Sequence, residues 1–333
     1  MWKIRGILSL LLFSSIIHSG VSGYLFLSAL DGKFLGKREL ALFSSLRLNF
    51  HWELGGAKIK LSPQFNAAAS SPLYSSFLIG GEPEEVHSLF LHKDDYSSVY
   101  LFLDRASLSI EKGRFSITLG RDRYPWGKAR IFSLLDIFNP YNPFSLSPQR
   151  LGADGGRLRF YLSDFSWLEG IWIKREGKGI YGAGLFFSWG GFDFQLSTGE
   201  ARGKFLGFAF EGDIAGVGVR GEIFKKQEFG LEYVLGADWQ INPKTYIMGE
   251  YLKSQGSLYP PVKTLLLGIS RQITPLLTAE LHLLGFSPSG RAFWGGLHYS
   301  ATENLDIKIG VFYASSSPWP LPQMNFLSWK LYF

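Results

Sequence analysis

Residues 40–54 read LALFSSLRLNFHWEL. Leu40, Leu42, Leu46, Leu48, Phe50, Trp52 and Leu54 fall on one parity, and Arg47, Asn49, His51 and Glu53 on the other. A side-chain period of two is that of a β-strand, and the split of apolar from charged residues gives the two faces different solvents.

Working outward, Gly55, Gly56 and Ala57 turn the chain into 58–67, where Ile59, Leu61 and Phe65 alternate with Lys58, Lys60 and Ser62. The same alternation sets Phe102, Ala106, Leu108 and Ile110 against Leu103, Arg105, Ser107 and Ser109. It sets Phe115, Ile117 and Leu119 against Ser116, Thr118 and Gly120, and Leu158, Phe160 and Leu162 against Arg157, Arg159 and Tyr161. Further segments follow at 166–174, 179–189, 191–199, 203–211, 214–224, 229–239, 245–254, 262–272, 276–286, 291–300 and 305–313. The chain closes at 325–333 with Leu327, Trp329, Leu331 and Phe333 on one face.

From Leu40 onward this makes seventeen strands. A single-chain bacterial barrel has an even number, with both termini on the periplasmic side. Tyr24–Leu30 (YLFLSAL) supplies the missing upward strand and brings the expectation to eighteen, or sixteen if one of the shorter segments is not a strand. Connection lengths agree. Tight turns at 55–57, 111–114, 189–191, 211–214, 242–244 and 302–304 all fall at one end, and the long connections 68–97, 123–153, 254–261 and 315–324 at the other. Short turns on one side and long loops on the other are the habit of transmembrane barrels. The predicted fold is therefore all-β, a transmembrane antiparallel up-and-down barrel.

Composition fits. The chain has 29 Phe, 15 Tyr, 10 Trp and 39 Gly, as a lipid-facing wall with interfacial aromatics and bent strands requires. Mean hydropathy is only +0.06, because every second residue faces a polar lumen. With no cysteine, disulfide and thiol chemistry are excluded. The net charge of +6 is too mild, and its basic residues too dispersed, to point to nucleic acid. At the start, Lys3 and Arg5 precede an apolar run from Ile7 to Ile17, followed by small residues through Gly23. This is the layout of a secretory signal peptide, so residues 1–23 are expected to be removed and 24–333 to form the barrel.

The alternation breaks once, at 120–156 (GRDRYPWGKARIFSLLDIFNPYNPFSLSPQRLGADGG). Asn-Pro and Trp-Gly impose fixed turns there, and the apolar run 131–138 favours burial. Such a loop can fold into the lumen. The candidate pore-lining and constriction residues are Arg121, Asp122, Arg123, Lys128, Arg130 and Asp136, with Arg157 and Arg159 beside them on the next strand. The loop's cations with Arg157 and Arg159 form a basic wall opposed by Asp136 and Asp154, and fixed charges of this kind select ions. The alternative is a brace in which the charges pair with one another.

Gly120-Arg121, Trp126-Gly127, Asp136, Asn139-Pro140 and Gly152-Ala153-Asp154 together resemble a pattern of porin-like bacterial outer-membrane β-barrel proteins. There a Gly-Arg-Gln strand end leads into Trp-Gly, Asp-x-x-Asn-Pro and Gly-x-Asp; here Asp122 stands in place of the Gln. The strand ending on Phe333 similarly resembles the signal read by the barrel-insertion machinery. The resemblance implies residence in the bacterial outer membrane, contact with its lipid, and passive diffusion of small polar solutes or ions. Gly120, Trp126, Gly127, Asn139, Pro140 and Asp154 are then structural loop residues.

Other chemistry is weakly signalled. Glu82, Glu84, Glu85, His87, His92, Asp94 and Asp95 crowd one long connection, but the His spacing suits a solvated loop better than a metal site. His51, His282 and His298 sit in no nucleophile motif and read as ordinary polar strand residues facing the lumen or the interface. No catalytic residue, metal ligand or cofactor is expected. A component for exporting polysaccharide or lipid, a barrel enzyme and a structural or adhesion barrel remain the competing functions.

Overall fold

The computed structural model describes residues 18–34, 37–69, 88–94, 97–139, 151–175, 177–288, 290–316 and 323–333. Its strands are β1 (His18–Phe34), β2 (Lys37–Leu54), β3 (Ala57–Ala69), β4 (Ser88–Lys93), β5 (Ser97–Lys112), β6 (Phe115–Asp122) and β7 (Ala153–Ser163). They continue as β8 (Ser166–Arg175), β9 (Lys178–Trp189), β10 (Phe192–Glu200), β11 (Lys204–Ile214), β12 (Val217–Lys226) and β13 (Leu231–Asn242). The last are β14 (Thr245–Lys253), β15 (Lys263–Thr274), β16 (Leu277–Ser287), β17 (Arg291–Thr302), β18 (Leu305–Ser316) and β19 (Gln323–Tyr332).

Each strand of the ring pairs antiparallel with its sequence neighbours, except that β3 pairs with β5 across β4, and β1 closes on β19. The result is the closed eighteen-stranded barrel that the alternation predicts. The added strand is Tyr24–Leu30, which pairs with β2 on one side and β19 on the other. Strand β1 also runs upstream of the expected cleavage point to His18, against Glu53 of β2. Closure on β19 begins farther along β1, where the Gly23 N–H donates to the Phe333 carbonyl at 2.8 Å.

The outward face is apolar for the reason the sequence gives: Leu40, Leu42, Leu235, Leu267, Ile309 and Leu331 stand exposed on the outer parity. The inward face holds the buried polar groups, among them Ser45, Gln64, Glu169, Glu222 and Glu250. The tight turns gather at one end and the long connections at the other.

One parity reading is corrected. Phe102 does not share a face with Leu108 and Ile110: it is buried inside, and Leu101 takes the outward place. The register shifts where Ser62 faces Arg105 and Pro63 faces Leu103, leaving Asp104 as an extra residue. Pro63 has no N–H for the ladder, so a bulge opposite it costs little. The bulge turns Asp104 inward beside Arg105. Strand β4 lies outside the ring, as a short hairpin partner to the upper part of β5, above the point where β6 ends.

Candidate functional site

The stretch after β6 leaves the wall and enters the barrel. Tyr124, Trp126, Phe132, Leu134, Leu135, Ile137 and Phe138 are all buried there. Burial of this kind is worth about 1.5–3 kcal/mol per large apolar side chain, which drives the segment off the water-facing rim. The wall opposite makes room with glycine. On the inward parity of β9, a Cβ at Gly182 would stand 2.8 Å from the Trp126 ring and one at Gly184 3.3 Å from it; on β11, one at Gly207 would collide with Leu135. Trp126 meets Phe138 edge-on at 4.8 Å and Phe186 at 6.2 Å.

Hydrophobic burial leaves the loop's backbone donors without water. An irregular segment has no ladder to satisfy them, and each orphan costs about 1–3 kcal/mol. Acidic and amide side chains projecting inward from alternate strands meet that need. Glu169 on β8 accepts from Trp126 Nε1 at 2.7 Å, and Gln195 on β10 from Gly127 N at 3.0 Å. Glu222 on β12 accepts from Lys128 N at 2.6 Å and Ala129 N at 2.7 Å through one oxygen, and from Leu134 N at 2.7 Å and Leu135 N at 3.1 Å through the other. Ser133 Oγ donates to it as well, at 3.0 Å. Glu250 on β14 takes Arg130 N at 3.0 Å and Phe132 N at 2.5 Å. The loop is thereby held near mid-strand against β8 to β14.

The two ends of the segment are tied separately. Asn139 accepts from Tyr124 N at 2.6 Å and donates to the Leu151 carbonyl at 2.8 Å. The Tyr124 hydroxyl donates to the Gly120 carbonyl at 2.6 Å. Burial, reinforced by nearby Asp122, pushes that hydroxyl well above the usual tyrosine range, so it stays a donor. Gly120 and Gly127 have φ of 111° and 90°, a region that side chains avoid. Asp104 accepts from Gly152 N at 2.9 Å and forms ion pairs with Arg47 at 2.5 Å and Arg105 at 3.1 Å.

The candidate charges divide into three groups. Lys128 and Arg130 point toward carboxylates on the short-turn side of the loop: Lys128 to Asp193 at 3.8 Å and Glu211 at 3.9 Å, Arg130 to Asp238 at 3.6 Å. Arg157 and Arg159 line the inner face of β7; Arg159 pairs with Glu169 and lies 5.6 Å from the Trp167 ring centroid. Arg157 donates to Thr118 Oγ1 at 3.4 Å. Asp122 accepts from Ser107 Oγ at 3.0 Å and faces Lys60 at 3.8 Å, and Arg123 is exposed.

Three candidates are corrected. Arg121, Asp122 and Asp136 are sealed from water at 5%, 7% and 3% exposure, so none lines an open passage. Arg121 is occupied by Asp154 at 3.1 Å across the β6–β7 rung, so Asp154 does not oppose Arg157 and Arg159 either. Pro140, Asn142, Pro143, Arg150, His87 and the nearby Glu82, Glu84 and Glu85 lie outside the described residues, while His92 forms an exposed pair with Asp94 at 2.9 Å.

Sequence reasoning passed over Glu169, Gln195, Glu222, Glu250 and Asp104. Their one signal is an acidic or amide residue at inward parity in mid-strand. His282 lies 4.0 Å from Glu280 and His298 3.2 Å from Asp306, neighbours on the inner wall; the Ser300 hydroxyl donates to the same Asp306 carboxylate at 2.9 Å rather than to an imidazole. No group of three His, Cys, Asp or Glu there is placed to hold a metal.

No family model and no curated relative matches the chain. Solved structures match in fold. OccAB4 of Acinetobacter baumannii is similar at a TM-score of 0.65 and 10% identity, over 95% of this chain and 98% of that one. A triple mutant of the Rhodopseudomonas blastica porin is similar at 0.55 and 11%, over 95% and 100%. At such identities the likeness is one of fold: a porin-like barrel.

Proposed function

We propose that this porin-like barrel is a bacterial outer-membrane channel for passive diffusion of small polar solutes or ions, and that the in-folded segment 123–139 is its constriction. The observation that carries the reading is water-facing charge on the inner wall away from the loop. Lys308 on β18 is exposed on inward parity, and the Lys60 side chain on β3 is 40% exposed. Ionic groups stay hydrated at inward positions only if the lumen holds water. The loop narrows that lumen from one side, and its Lys128 and Arg130 with Arg157 and Arg159 supply the fixed charge that a permeating ion meets.

The same geometry favours transport over catalysis: His282 and His298 face carboxylates on the inner wall, and the Ser300 hydroxyl donates to Asp306 rather than to an imidazole. The secretory leader and the strand ending on Phe333 belong to the same reading: export, then recognition by the barrel-insertion machinery.

Planar-bilayer recording of the purified protein tests the proposal. Discrete conductance steps are expected, and reversing Arg157 and Arg159 to Glu shifts the reversal potential in a salt gradient toward cation preference. A protein that inserts and never conducts ends the channel reading; unaltered selectivity removes the role of the β7 pair.

A further inference from the structure

The outward face carries a charge pattern that the lumen does not explain. At the long-loop end, outward positions at the ends of many strands are cations: Lys174 on β8, Lys204 on β11, Lys225 on β12, Lys253 on β14, Lys263 on β15 and Arg291 on β17; the outward acids there are Asp31 on β1 and Glu200 on β10, the latter across the rung from Lys204. Their outward placement follows from parity with exposed Trp172, Leu206, Ile223, Leu265 and Phe293. None of the six forms an ion pair among the described residues. The outward strand cations near the other end are Lys112 on β5 and Arg271 on β15.

Two details make this more than a decorated rim. Lys253 and Lys263 are direct register partners on neighbouring strands. Like charges directly opposite each other destabilise a sheet, and no acidic side chain stands between these two. Lys253 Nζ lies 5.7 Å from the Tyr233 ring centroid, and Tyr233 and Tyr251 pack at 6.0 Å, which gives the pair an aromatic floor. The second detail is height. Trp172, Tyr251 and Phe293 each lie two residues deeper in the wall than Lys174, Lys253 and Arg291. Aromatic girdles mark the boundary of the hydrocarbon region. The cations therefore stand just beyond that boundary, at the level of lipid headgroups.

We infer that this rim binds the phosphate-bearing headgroups of anionic lipid in the leaflet on the long-loop side, with the Lys253–Lys263 pair as the principal seat. A bridging phosphate removes the repulsion across the rung. A lipid is favoured over free phosphate because Leu265 and Leu267 continue the same wall downward and take the acyl chains. The inference rests on the barrel spanning a membrane as proposed above; conduction is a separate property.

The test is relative lipid affinity read by tryptophan quenching. Wild-type protein is reconstituted in phosphatidylcholine vesicles carrying brominated phosphatidylglycerol, and compared with vesicles carrying brominated phosphatidylcholine. Wild type is expected to prefer the anionic lipid. K253Q/K263Q loses that preference by about fivefold for each cation removed, the scale for a basic residue at an anionic surface. K225Q/R291Q is a second variant, should the first not fold, and loses preference in the same direction. K112Q/R271Q, altered at the other end, keeps it. No anionic preference in wild type, or equal loss in K112Q/R271Q, overturns the inference. So does displacement of the brominated lipid by millimolar inorganic phosphate, which points to a free-anion site. Bilayer conductance of the same samples reports the channel reading independently: a conducting wild type without lipid preference defeats this inference alone.

Discussion

Replacing Glu222 by Gln is the sharpest probe of how the constriction is held. The carboxylate is fully buried, and four backbone N–H groups and the Ser133 hydroxyl converge on it. Gln keeps the shape but presents an amide NH2 to one of the two donor pairs. If the remaining oxygen stays with Lys128 and Ala129, the N–H groups of Leu134 and Leu135 lose their acceptor. Hydrogen bonds to a charged group contribute about 1.5–3 kcal/mol each, so the gross loss is about 3–6 kcal/mol. Relieved desolvation of the buried charge offsets about 1–3 kcal/mol of that, which leaves a net weakening of about 2–3 kcal/mol.

Hydrogen exchange measures that quantity where it acts. At about 1.4 kcal/mol per decade, the amides of residues 128–135 are expected to exchange roughly 30- to 150-fold faster. Amides of β12 and β14 in the wall are expected to change little, because their ladders are intact. Open-state current noise should rise as the loop samples undocked positions. Unaltered protection at 128–135 would refute the carboxylate-anchor argument. Uniformly faster exchange around the whole ring would refute the separation of loop from wall.

Gly207→Val places a branched side chain where Leu135 and the Ser197 hydroxyl already meet the glycine; overpacking costs about 1–3 kcal/mol, so exchange at 133–138 speeds up and mean conductance rises. Asp104→Asn weakens the pairs with Arg47 and Arg105 in a buried setting, and a loss of about 3 kcal/mol is expected as a lower unfolding midpoint in urea. Tyr124 carries a folded-state pKa raised above the ordinary value of 10.0. The native state therefore holds this proton after the unfolded chain has released it. Its contribution is fully present below pH 10 and declines as pH rises above that value. Loop protection is thus expected to be insensitive to this group from neutral pH to about 9 and to weaken in stronger base; a Tyr124→Phe variant lacking that alkaline step agrees with this, and one retaining it assigns the titration elsewhere.

What the sequence determined alone was the wall. Alternation is written into neighbouring residues, because each strand stands between lipid and water whatever its partners are. Leu40 through Leu54 therefore reveal two faces without any tertiary information, and the sorted turns reveal which ends face together. Even Tyr24–Leu30 was recoverable, since closure demanded one more upward strand. The run 131–138 showed that it would be buried, because its hydrophobicity is also local. Its holding was not legible. Glu222 and Glu250 lie 87 to 120 residues from the amides they accept, and nothing in their own strands distinguishes them from solvated lumen acids. The partners of Arg121 and Arg159 lie nearer, 33 and 10 residues away, but the register of neighbouring strands decides those pairs, so charges that read as one basic wall became separate pairs with Asp154 and Glu169. Parity at Phe102 failed for a related reason: one extra residue at Asp104, opposite Pro63, reverses every face beyond it. A period-two code fixes which solvent a residue meets, and only closing the ring decides which residues meet each other across the lumen.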